Sequence, residues 1–187
     1  MPVIGLRDFY AAKVEDDETL GVPRKLSPAI SANITPNYNI TTLYGDDRAV
    51  EVAEALGDID FEIGMTDLTQ DDYAFLLGKE KNSDGVIEDS ADDIAPYVSI
   101  GFRIPLSGGG FRYYWYYKGK FNPPTQQAQT KGENVEFQTP TISGKFVSRE
   151  DGKWRASIDS TDTGVNQSVI DNWFKEVYKP KQEVPGS

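Results

Sequence analysis

A chain of 187 residues, 38% apolar and 26% charged, is long enough for one domain with a sizeable core and cramped for two. It has no cysteine and no histidine, which excludes disulfides and thiolate metal sites and removes the commonest general base and transition-metal ligand. The formal net charge of −11, from 30 acidic and 19 basic residues, disfavours a nucleic-acid binder, whose surface is basic. No window approaches the roughly 18 consecutive apolar residues of a membrane span.

The first residues, Met1-Pro2-Val3-Ile4-Gly5-Leu6-Arg7-Asp8, lack a basic start followed by an apolar run, so no secretory leader is expected. Residues 30–44 carry the β-favouring Ile34, Tyr38, Ile40, Thr41, Thr42 and Leu43 around Pro36, which predicts a strand that bends or lies at an edge. A helix is predicted from Asp46 or Asp47 as N-cap, with Ala49, Val52, Ala53 and Leu56 on one side and Gly57 as its stop. Residues 58–63 then alternate, Asp58, Asp60 and Glu62 on one face and Ile59, Phe61 and Ile63 on the other. Thr69 with Asp72 three residues on predicts a short second helix that buries Tyr73, Leu76 and Leu77 and stops at Gly78.

Residues 97–105 alternate as a strand, and Ser107-Gly108-Gly109-Gly110 closes a hairpin with residues 111–121. A second hairpin is predicted to pair residues 141–148 with 153–159 through Glu150-Asp151-Gly152. A third helix over 167–178 places Val169, Ile170, Trp173, Phe174 and Val177 on one face before Pro180. Long irregular segments fill residues 15–28, 79–95 and 122–134. The reading is one β-rich domain over 1–178 and a flexible tail over 179–187, with no internal repeat or linker.

The carboxylates of Asp58, Asp60 and Glu62 stand about 7 Å apart along one strand face, as an acid/base pair requires. No buried proton-holding partner accompanies them, so a solvated face is the simpler reading and no enzymatic activity is expected. The acids at Asp84, Glu88, Asp89, Asp92 and Asp93 do not follow the spacing of a calcium loop. Gly108-Gly109-Gly110 lies between strands with no Lys-Ser/Thr after it, so it is a turn and not a phosphate cradle. In 111–121, Phe111, Tyr113, Trp115, Tyr117 and Phe121 are expected to face the core. Arg112, Tyr114, Tyr116, Lys118 and Lys120 form an amphipathic face suited to a protein interface.

Several segments, in order, resemble the major tail proteins of long-tailed, non-contractile bacteriophages, in their Gram-positive phage branch. They are Gly5-Leu6-Arg7-Asp8, Leu43-Tyr44-Gly45-Asp46-Asp47, Asp67-Leu68-Thr69, Leu76-Leu77-Gly78 and Gly101-Phe102-Arg103. Tyr117-Lys118-Gly119-Lys120-Phe121, Phe137-Gln138-Thr139-Pro140-Thr141-Ile142 and Arg149-Glu150-Asp151-Gly152-Lys153-Trp154 complete the set.

The resemblance implies a β-sandwich or barrel-like tail-tube fold with flanking helices and long loops. Subunits would join into hexameric rings and stack into a tube whose negatively charged lumen conducts DNA without binding it. It implies no catalytic residue, cofactor or metal. The partners would be other copies of the chain and the tape-measure, tail-tip and terminator proteins, with assembly in the host cytoplasm and a place in the virion tail. On that basis Asp58, Asp60 and Glu62 are candidate lumen-facing acids. Pro123, Pro124, Gln126, Gln127 and Lys131 are a candidate inter-subunit loop. The alternatives are a carbohydrate-binding or adhesin-type β-sandwich and a terminator or connector ring that does not polymerise.

Overall fold

The computed structural model describes residues 2, 5–45, 48–126 and 139–180. Among these residues eight strands form one antiparallel sheet: β1 (Arg7–Val14), β2 (Arg24–Lys25), β3 (Ala29–Gly45), β4 (Arg48–Met65), β5 (Tyr97–Pro105), β6 (Phe111–Phe121), β7 (Thr141–Phe146) and β8 (Arg155–Asp159). Two short helices, α1 (Gln70–Leu77) and α2 (Gln167–Asn172), accompany them. The strand order is β2-β1-β5-β6-β7-β4-β3, with β8 also pairing β6. The protein is mainly β, as its sequence predicts.

The sheet bends over its own apolar face in the manner of a β-sandwich. Phe9 of β1 shares one buried cluster with Ile59, Phe61 and Ile63 of β4, although three strands separate β1 from β4. A flat sheet would hold those two strands roughly 19 Å apart. Phe61 meets Tyr116 edge-on at 5.0 Å and stacks on Phe146 at 4.4 Å, and Leu76 and Leu77 of α1 close the cluster.

On the opposite face of β6, Tyr113, Trp115 and Tyr117 lie beneath Trp173 and Val177. The Trp115 indole donates to the Trp173 carbonyl at 2.8 Å, and the Trp173 indole donates to the Tyr114 carbonyl at 3.3 Å. Both faces of β6 are therefore packed. Phe121 does not face with Trp115 as predicted. Between the pairs Val98–Gly119 and Ile100–Tyr116, β6 carries one residue more than β5. That bulge shifts the alternation, and Phe121 joins Tyr116 in the main core.

Two further expectations are corrected. No helix follows Gly45: residues 48–57 belong to β4, paired with β3 from Ala29–Met65 out to Gly45–Arg48. Cross-strand pairing with a β-favouring partner overrides the helical propensity of Ala, Glu and Leu. Nor do β7 and β8 form a hairpin. Both run antiparallel to β6 along one edge, β7 opposite Gly119–Phe121 and β8 opposite Arg112–Tyr116. The turn at Glu150-Asp151-Gly152, with Gly152 at φ 77°, is an excursion within one interrupted line of strand.

The predicted α1 is observed. Thr69 caps it by accepting from the Asp72 N–H at 3.2 Å, and Gly78 ends it in the left-handed region. It buries Leu76 and Leu77 while Tyr73 is half-buried. The Asp72 carboxylate is also buried, accepting from the Ser27 N–H at 3.0 Å, the Ser27 hydroxyl at 2.6 Å and Arg24 at 3.2 Å. α2 starts as predicted at Gln167 but ends at Asn172. Beyond it, Lys175 N–H bonds the Asn172 carbonyl three residues back, a tighter turn than an α-helix makes. No described helix is long and apolar enough to cross a membrane.

Candidate assembly interface

β3 and β4 outrun the rest of the sheet. β7 covers β4 only from Ile59 to Gly64, so among the described residues, 38–45 and 48–56 pair only with each other and form a two-stranded ribbon. Where Pro36 pairs Ile59 and Tyr38 pairs Leu56, β4 carries an extra residue, so the core-facing alternation continues onto the ribbon. Ile34, Tyr38, Ile40 and Thr42 extend one face of β3, and Leu56, Glu54 and Val52 stand opposite on β4. Inside the body this face is covered, with Ile59 at 0% and Phe61 at 1% exposure. On the ribbon Tyr38, Ile40 and Val52 are 46%, 65% and 60% exposed.

β3 is also the end strand of the sheet order, so the outer edge of a 17-residue strand has no described strand beside it. Long open edges of this kind are pairing sites for another chain. At the other end, β2 is only two residues long.

The outer face of β4 carries the candidate acids. Asp60 and Glu62 are exposed and Asp58 half-exposed, while Ile59, Phe61 and Ile63 point inward as the alternation predicts. Lys145 of β7 is ion-paired to Asp58 and lies 3.3 Å from Asp60. The Asn37 amide donates to both, at 3.0 and 2.9 Å. Lys145 and then Asn37 hold the Asp58 carboxyl below its ordinary range. For Asp60 the Asn37 bond is the larger cause and Lys145 the next. Glu62 receives only a long bond from Asn33 at 3.4 Å. Asp58 and Asp60, held low in this way, carry no proton at neutral pH to donate. The structure brings the three acids together but places a cation among two of them, and directly opposite Lys145 stands Lys120.

Two of the three long segments are fastened to the body. Glu18, at φ 61°, accepts from Lys118 at 2.7 Å and from the Glu150 N–H at 3.2 Å. In the second segment, Lys79 is ion-paired to Asp89 at 2.9 Å and to Asp93, and Tyr73 donates to Asp89 at 3.0 Å. In the third, Pro123, Pro124 and Gln126 line a cavity of about 1070 Å³ with Leu68, Tyr73 and Pro140; Gln127 and Lys131 lie outside the described residues. The element that projects is thus the one with the sequence signature of a helix. The signal available beforehand was the β-branched run Ile40-Thr41-Thr42 and the Gly45-Asp46-Asp47 break after it. No family model and no curated protein matches the chain.

Proposed function

We propose that this chain is a structural subunit of a phage tail tube, assembling through itself into hexameric rings that stack around a DNA conduit. The ribbon carries the reading. A two-stranded hairpin is marginal in water by itself, and this one extends a core face outward with Tyr38, Ile40 and Val52 uncovered. A neighbouring copy that covers that face, and a strand that pairs the open edge of β3, would relieve both deficits. Head-to-tail contacts of that kind close into rings or run on as filaments.

In this reading the polar face of β4 and β7 lines the lumen, where Asp58, Asp60 and Glu62 repel DNA phosphates. The tape-measure, tail-tip and terminator proteins are its further partners, and the virion tail is its location. Electron microscopy of the concentrated protein, with light scattering on the same sample, tests the proposal. Hollow tubes or stacked six-fold rings are expected. Rings that never stack would favour a terminator or connector. A discrete monomer that binds glycans would replace the reading with a carbohydrate-binding module.

A further inference from the structure

The main core is open at the β8 edge as well. Register places three rows across β5, β6 and β8 on the core-facing side: Ile100–Tyr116–Arg155, Phe102–Tyr114–Ser157 and Ile104–Arg112–Asp159. Ile100, Phe102 and Tyr116 are buried, Ile104 and Tyr114 half-buried, and Arg155 and Ser157 exposed. A hollow of about 410 Å³ lies there, lined by Arg112, Tyr114, Arg155, Ser157, Asp159 and Asp162.

The two arginines differ. Arg112 is held by both Asp159 oxygens, at 2.5 and 2.6 Å. The Arg155 guanidinium lies 4.7 Å from the centre of the Trp154 ring and 5.9 Å from that of Tyr114. No described carboxylate is ion-paired with it. The rim therefore offers aromatic surface beside a cation, Arg155, that no described carboxylate pairs, although Asp162 shares the hollow.

The ribbon offers the complement. On its apolar face Tyr38, Ile40, Val52 and Leu56 surround a single acid, Glu54, which pairs across the strands with Ile40 and is exposed. No described cation is ion-paired with Glu54. We propose that the apolar face of the ribbon docks on the β6–β8 rim of a second copy of this chain, with Glu54 of one copy set against Arg155 of the other. The proposal rests on the tube reading and names the surface that receives the ribbon. Each face continues a core that one chain leaves incomplete, and an exposed cation beside aromatic rings with no described ion-pair partner favours an acidic partner over a neutral one.

The absence of native cysteine makes cross-linking specific. A chain carrying Glu54→Cys and Ser157→Cys is assembled and oxidised, then run on a non-reducing gel. A ladder of covalent multimers is expected, and none from either single variant. Assembled particles without a ladder overturn this docking while the tube reading stands. A wild-type chain that forms no ring or tube overturns both.

A charge exchange gives a second readout. Glu54→Arg should raise the concentration needed for assembly by about tenfold or more, and adding Arg155→Glu should restore it. Failure to restore, in a double variant that still shows the native circular dichroism spectrum, overturns the pairing. Glycan capture at Arg155 by a chain that stays monomeric would do the same.

Discussion

The body and the ribbon are built from the same two strands, and they differ in what lies over them. From Ile59 to Ile63 the apolar face of β4 is sealed by β5, β6, β7 and α1. At Val52 and Glu54 the same face meets no described layer, Val52 being 60% exposed, while Leu56 at the root of the ribbon is half-buried against the main core. A strand pair is held by its backbone bonds in both places, but only in the body does burial of side chains add to them. The body is thus held by side-chain burial that the outer ribbon lacks, and in the proposed assembly the ribbon would gain that burial on association.

That difference can be broken most forcefully in the core. Phe61→Ala should cost about 3–5 kcal/mol in urea denaturation, whereas Ile40→Ala should stay within about 0.5 kcal/mol and act on assembly instead. Equal losses at the two positions would erase the distinction. Next is Gly119, where an added Cβ would land in the Phe146 ring; Gly119→Ala should destabilise by about 1–3 kcal/mol in the same assay. Asp72→Asn removes the charge that holds Ser27 and Arg24 and should cost about 2–3 kcal/mol, detaching the loop before β3 from α1.

Acid should sharpen the contrast. Burial pushes the Asp8 and Glu18 carboxyls up. Lys25 and Arg103 at Asp8, and Lys118 with the Glu150 N–H at Glu18, outweigh it and hold both below their ordinary values. Arg112 does the same for Asp159, against a smaller burial effect. Each folded value lies beneath the unfolded one, so this stability is fully present above roughly pH 4–5 and is lost as pH falls through the folded values. The melting temperature of the body should drop on acidification below about pH 4; a flat profile would contradict these pairings. The smallest effect is expected at Glu62, which has no ion-pair partner among the described residues. Glu62→Lys should leave the melting temperature unchanged and, if the polar face lines a lumen, slow DNA release from assembled phage.

Much of the body was legible in the sequence. Period-two alternation located the buried face of β4, and Thr69, Asp72 and Gly78 marked both ends of α1 because capping is a local interaction. The ribbon was not legible for a physical reason. Ala49, Val52, Ala53 and Leu56 satisfy a helical period, and Glu and Ala favour a helix, while the pairing that decides otherwise lies on another strand. The bulge in β6 is marked only by Gly119 at its border, since an isolated glycine in a strand signals a bulge or a close approach alike and the pairing with β5 decides between them. The candidate acids were placed on the correct strand face, but Lys145, 85 residues from Asp60 in the chain and bonded to it in space, left no trace in local spacing.

The most direct test shortens the ribbon. Residues 39–54 are replaced by a two-residue turn, and the product is compared with the full chain by sedimentation velocity, electron microscopy and thermal melting. The expected result is a folded monomer that melts close to the full chain and forms no rings or tubes where the full chain does. A shortened chain that assembles as well as the full one would contradict the claim that the ribbon is the element through which this protein joins its neighbours.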